Sequence, residues 1–119
     1  MLRKIDRVMV RVDDLTAAEA FYTSVFALRP LWRDESAVGL TMPETDAEIV
    51  LHTMDLPPDL TVHYLVDDVV SAVATYERAG CTVRTPPFDV PVGRCAVLED
   101  PFGNAICVID LSKGPRPPA

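Results

Sequence analysis

The chain repeats itself. Moving the sequence along by 54 residues lays Val8-Met9-Val10-Arg11-Val12-Asp13-Asp14 on Val62-His63-Tyr64-Leu65-Val66-Asp67-Asp68, with Val, Val, Asp and Asp recurring at matching places. The register then holds without a gap: Ala18 falls on Ala72, Ala20 on Ala74 and Tyr22 on Tyr76. A duplicated unit constrains the architecture more than any single motif, because what one copy folds into the other is expected to fold into as well. At 119 residues, the chain has room for one domain made of both copies.

Each copy opens with a period-2 strand. Over 7–12, Val8, Val10 and Val12 share one face and Arg7, Met9 and Arg11 the other; over 61–66, Val62, Tyr64 and Val66 oppose Thr61, His63 and Leu65. The aspartates stop each strand and start a helix, Asp14 and Asp68 accepting from free amides of the first turn, with Thr16 and Glu19 an alternative capping box in the first copy. The spacing predicts helices over about Leu15–Leu28, ended by Pro30, and about Val69–Ala79, with Gly80 as a left-handed C-terminal cap.

Three strand-like stretches follow each helix. They are about Leu31–Asp34, Ala37–Met42 and Glu48–Thr53 in the first copy, and Thr82–Thr85, Cys95–Glu99 and Ala105–Asp110 in the second. Asp100-Pro101-Phe102-Gly103-Asn104 reads as a turn with Gly103 at positive φ, Pro57-Pro58 as the link between copies, and the stretch from Gly114 as a proline-rich tail. Glu48, Val50 and His52 are placed on one face of the first copy's last strand, and a slip of one residue would instead present Ile49, Leu51 and Thr53.

Composition narrows the function. With 49% hydrophobic and 24% charged residues the chain is ordinary globular material. A net charge of −7 has the wrong sign for tracking phosphates, so nucleic acid is excluded as a partner and cationic ligands are favoured. The longest apolar run, Ala105–Ile109, falls far short of the roughly 20 residues of a membrane span, and charges at Asp6, Arg7 and Arg11 interrupt any signal-like segment. The expectation is a cytoplasmic protein with no membrane partner. Cys81, Cys95 and Cys107 are odd in number and lie in strand-like stretches, as reduced core thiols do. No CxxC or HExxH spacing occurs, and no G-x-S-x-G elbow.

Two βαβββ units, an Asp-Asp helix start in each and the Glu99-Asp100-Pro101-Phe102-Gly103-Asn104 turn resemble the vicinal oxygen chelate superfamily, which includes glyoxalase I, bleomycin-resistance proteins and extradiol dioxygenases; the likeness spans about residues 4–112. It implies an α+β fold of two tandem units (about 4–55 and 60–112), with curved mixed sheets around a cavity and helices on the outer faces. It also implies a homodimer in which two units complete each site. Arg7, Met9, Arg11, Thr61, His63 and Leu65 would then look into the cavity, joined by Val50, His52 and Glu48 from one closing strand and Cys107 and Ile109 from the other.

Metal-using members of that superfamily carry His or Glu at four positions that fall here on Arg7, Val50, Thr61 and Cys107. Arginine has no lone pair to donate, valine no donor atom, threonine is a feeble ligand, and a lone thiol does not make a site. No cofactor is expected at these positions, and enediolate or dioxygen chemistry would lack its electrophile. A displaced site from His52, His63 and Glu48 is the rival, against ordinary hydrogen-bonded histidines. Trp32, Phe26, Phe88 and Phe102 either stack on a planar guest or pack, and Arg7 and Arg11 either hold an anion or answer acidic neighbours such as Asp6, Asp13 and Glu48.

The resulting expectation is a metal-free protein that binds a small organic molecule, such as an antibiotic or metabolite, without transforming it. The ligand residues expected are Arg7, Met9, Arg11, Trp32, Val50, His52, Thr61, His63 and Cys107, with no catalytic residue. The alternative is a metal-dependent lyase, isomerase or dioxygenase of the glyoxalase type.

Overall fold

A computed structural model describes residues 1–118. Its first half runs β1 (Lys4–Arg11), α1 (Leu15–Val25), β2 (Arg29–Arg33), β3 (Ala37–Met42) and β4 (Thr45–His52). After a 3-10 turn at Pro58–Leu60 the order recurs as β5 (Val62–Leu65), α2 (Val69–Arg78), β6 (Thr82–Val90), β7 (Gly93–Glu99) and β8 (Ala105–Ile109). The fold is therefore α+β, with βαβββ twice over. Two compact units are formed, Arg7–Thr61 with Pro117 and Pro118, and Val62–Arg116 with Met1–Asp6.

In the first unit β1 runs parallel to β4, and β4 and β2 each pair antiparallel with β3, giving the order β2-β3-β4-β1. One face of this sheet lies under α1, where Leu15 and Leu28 join Val38, Leu40, Leu51, Val10, Val12 and Ile49. Burying each such aliphatic side chain contributes roughly 1.5–3 kcal/mol, so this face holds the helix. The opposite face carries Trp32, Ala37 and Val50 with Met9 and Met54. Ile49 and Leu51 thus face the helix while Glu48, Val50 and His52 face away, set opposite Arg7, Met9 and Arg11 of β1. This is the register read from the sequence, not its one-residue slip.

In the second unit the order is β5-β8-β7-β6, with β5 and β8 parallel. Val66, Val69 and Val73 pack at α2 on Ala96, Leu98 and Val108, which leaves Leu65, Cys95, Val97, Cys107 and Ile109 to alternate onto the other face, also buried.

The caps are those anticipated. Asp14 accepts from the amide of Ala17 at 3.0 Å, and Asp68 from Val70 at 2.9 Å and Ser71 at 3.3 Å. Thr16 and Glu19 form no capping box; both bind Arg33 instead. Gly80 and Gly103 take positive φ, 122° and 89°.

Three boundaries differ from those expected. α1 stops at Val25 rather than Leu28, since Ala27 turns the chain at φ 58°, and Pro30 lies inside β2. Pro86 and Pro87 likewise lie inside β6, which continues to Val90 rather than ending at Thr85. β2 and β6 each pair with one strand of their own unit, through a bulged register. A proline's missing N–H costs little at such a position.

Candidate functional site

The α1-free face of the first unit holds a cleft of about 320 Å³, lined by Met9, Arg11, His52, Met54, Asp55, Leu56, Pro57, Pro58, Leu60 and Thr61. Its position follows from the strand pattern. Met9 and Arg11 share one face of β1, His52 ends β4 on the same face, and the chain then leaves the sheet and returns through the 3-10 turn, so 54–61 forms a wall. Backbone bonds join these parts: the Met9 amide donates to the Thr61 carbonyl and the Val12 amide to the His52 carbonyl, each at 2.8 Å. Thr61 Oγ1 donates to the Pro58 carbonyl at 2.8 Å.

His52 is buried, at 3% exposure. Its Nδ1 accepts from the Met54 amide at 3.2 Å, which leaves the proton of the neutral ring on Nε2. Burial lowers the imidazole pKa below its ordinary value, and the charge of Arg11 lowers it further. A neutral donor therefore sits among methionines, leucines and prolines. Arg11 is exposed; its guanidinium donates to the Val12 carbonyl and to Asp13 at 3.1 Å, with Asp55 at 3.8 Å. The acidic neighbours that hold it are thus Asp13 and Asp55.

Met9, Arg11, His52 and Thr61 line the cleft as a group. Trp32 and Val50 lie in the apolar cluster with Met9 and Met54, and the Trp32 indole N–H donates to Glu48 Oε1 at 2.7 Å. Arg7 is buried at the β1 position opposite Glu48. His63 and Cys107 belong to the other unit, where their ligand atoms lie with that of Cys95, all within 4.8 Å of one another. Of the rival trio, Glu48 accepts from Trp32 within the first unit, while His63 is grouped with two thiols within the second. Phe26 packs in an aromatic group with Phe21 and Tyr22, Phe88 is half-buried in β6, and Phe102 is 85% exposed.

Met54, Asp55, Leu56, Pro57, Pro58 and Leu60 were missed as cleft residues, and Cys95 as a neighbour of Cys107. Pro57-Pro58 read only as a link, because no periodicity marks which side of a loop faces a hollow. A larger hollow of about 540 Å³ beside α1, walled by Tyr22, Phe26, Leu28, Met42 and Ile49 among others, has no histidine or arginine to orient a guest.

A β1–α1–β2–β3–β4 unit repeated once, with a cleft on the helix-free face, defines a class of protein. Residues 4–108 match the model of the Glyoxalase/Bleomycin resistance protein/Dioxygenase superfamily, and the chain belongs to that family. It is 30% identical over 116 residues to the anthracycline biosynthesis protein DnrV of Streptomyces peucetius, covering 86% of this chain and 39% of that one. The chain thus spans well under half the length of the curated relatives it matches. Among solved structures, methylmalonyl-CoA epimerase of Streptomyces coelicolor shares the fold at TM-score 0.68 and 17% identity, covering 98% of this chain and 100% of that one. The Mn(II)-bound glyoxalase of Novosphingobium aromaticivorans matches at TM-score 0.63 and 25% identity, over 99% of this chain and 42% of that one. Among the described residues no helix is long and apolar enough to cross a membrane.

Proposed function

We infer that the protein binds a small organic molecule in the first unit's cleft, without using there the metal that other family members hold. The observation that carries this reading is the cleft itself: 320 Å³ lies within the size range of small-molecule sites. Its wall is mostly apolar, and the buried, neutral His52 and the rim charges Arg11 and Asp55 are its orienting groups. A planar or aliphatic guest that accepts a hydrogen bond suits it, and the paired Arg11 and Asp55 accommodate either sign of charge. The likeness to an anthracycline biosynthesis protein makes anthracyclines the first compounds to test.

The donor set supports the metal-free part of the reading. Arg7, Val50 and Thr61 stand where ligands would be needed; Val50 is packed among Trp32 and Ala37, and the Thr61 hydroxyl is given to Pro58. The rival reading, a metal-dependent enzyme, draws its support from the manganese-bound glyoxalase relative. We also infer a homodimer, supported by the exposed apolar residues Phe21, Val25 and Phe26 on and just beyond α1.

The test is a thermal-shift and calorimetric screen of anthracyclines, other antibiotics and small organic acids, with and without divalent metal. A guest at 100 times its Kd raises stability by about 2.7 kcal/mol. Binding that His52→Ala weakens and chelator leaves unchanged upholds the reading. Binding or turnover that appears only with added metal and survives His52→Ala overturns it.

A further inference from the structure

We propose that His63, Cys95 and Cys107 form a zinc site in the second unit. They lie on three neighbouring strands. His63 of β5 is directly opposite Cys107 of β8, and Cys107 is opposite Val97 of β7, two residues from Cys95 on the same face. This is the face away from α2, whose contacts are taken by Ala96, Leu98 and Val108. One ligand atom from each residue lies within 4.8 Å of the other two. Bonds of about 2.3 Å to sulfur and 2.0 Å to nitrogen hold tetrahedral donors roughly 3.3–3.8 Å apart, a distance that small side-chain rotations supply.

Burial and charge together select the metal. Exposure is 7% at His63 and 1% at each cysteine, and Leu65, Val97 and Ile109 fill the surrounding face with apolar groups. A net charge in such a place is costly. Zinc with two thiolates and one neutral imidazole sums to zero, whereas a monovalent copper ion in the same site leaves one negative charge. Binding is balanced by release of the two thiol protons to solvent, with no change of oxidation state. The donors are those that a soft d10 cation prefers, and a fourth position stays open to water. Of the four positions matched above to the ligands of metal-using members, only Cys107 belongs to this set; His63 and Cys95 lie outside them.

None of the three residues lines the first unit's cleft, so failure here leaves the small-molecule reading standing and the converse also holds. The experiment uses the fully reduced whole chain. Zinc is titrated in competition with a chromophoric chelator, the complex is weighed by native mass spectrometry, and cobalt is substituted for its optical spectrum. One zinc per chain is expected, with a mass gain of one zinc less two protons. Thiolate-to-cobalt charge-transfer bands are also expected. Affinity should fall by more than about 100-fold in Cys95→Ser and Cys107→Ser and stay unchanged in Cys81→Ser. If either ligand variant fails to fold, the wild-type mass and cobalt spectrum decide. A cobalt spectrum without thiolate bands, zinc binding equal in wild type and in a folded Cys95→Ser/Cys107→Ser double variant, or uptake of monovalent copper alone overturns the proposal.

Discussion

Gly39 shows how one missing methyl group shapes the first unit. A Cβ there would come within 2.2 Å of Trp32 Nε1 and 2.8 Å of Glu48 Oε1, so the bond between indole and carboxylate exists because residue 39 has no side chain. Gly39→Ala should therefore cost about 1–3 kcal/mol in denaturant melts, and should shift the emission of Trp32, the chain's single tryptophan. An unmoved spectrum would mean the ring is not held as described. His52 makes a second prediction at this scale. Its pKa is lowered in the fold, chiefly by burial, so below its ordinary value near 6.5 the unfolded chain takes up a proton that the folded chain refuses. The stability this residue contributes is complete above that pH and declines as pH falls through the folded pKa. Melting between pH 7 and 4.5 should show a slope that His52→Gln flattens.

Among elements, the junction around Asp110 is the most consequential. This buried carboxylate follows β8 and accepts from the Val69 amide at 2.8 Å, the Arg94 amide at 3.0 Å, the Ser112 amide at 3.3 Å and the Ser112 hydroxyl at 2.8 Å. It thus ties the start of α2, the start of β7 and the end of β8 together. Burial alone would raise its pKa, but these donors outweigh burial and hold it below the usual carboxylate value. The associated stability is present above the unfolded pKa of about 3.9 and is lost as pH drops through the lower folded value. Asp110→Asn, which exchanges one acceptor oxygen for a donor, should cost about 2–4 kcal/mol by chemical denaturation. An equal loss in Asp14→Ala would show that Asp110 is only an ordinary cap. Much of this level was legible beforehand. Period-2 valines placed β1 and β5, Asp14 and Asp68 marked both helix starts, and alternation put Val50 and His52 on one face. What escaped notice depended on neighbours distant in sequence. Pro30 read as a helix stop because nothing local says that β2 tolerates a missing amide. Cys95 and His63 meet only through the order β5-β8-β7, and the cleft wall at 54–60 is loop.

For the whole molecule, the strongest sequence statement was the duplication, and it carried the family assignment across nearly the entire chain. Oligomeric state is tested at this scale. Light scattering should give twice the 13.1 kDa of one chain, and Phe26→Glu, which places a charge beside the exposed Phe21 and the half-buried Tyr22, should return the monomer mass. A single-chain mass for the wild type rejects the dimer. Guest selection follows from how the cleft wall is made. Adjacent prolines stand in its middle, and the Leu60 amide closes on the Pro57 carbonyl at 3.0 Å and the Thr61 amide on the Pro58 carbonyl at 3.1 Å. A wall with so few torsions left to freeze surrenders little entropy when a visitor arrives. Molecules are then sorted by contour at first encounter rather than by a closing movement afterwards, which favours compact rigid rings over floppy chains of equal mass.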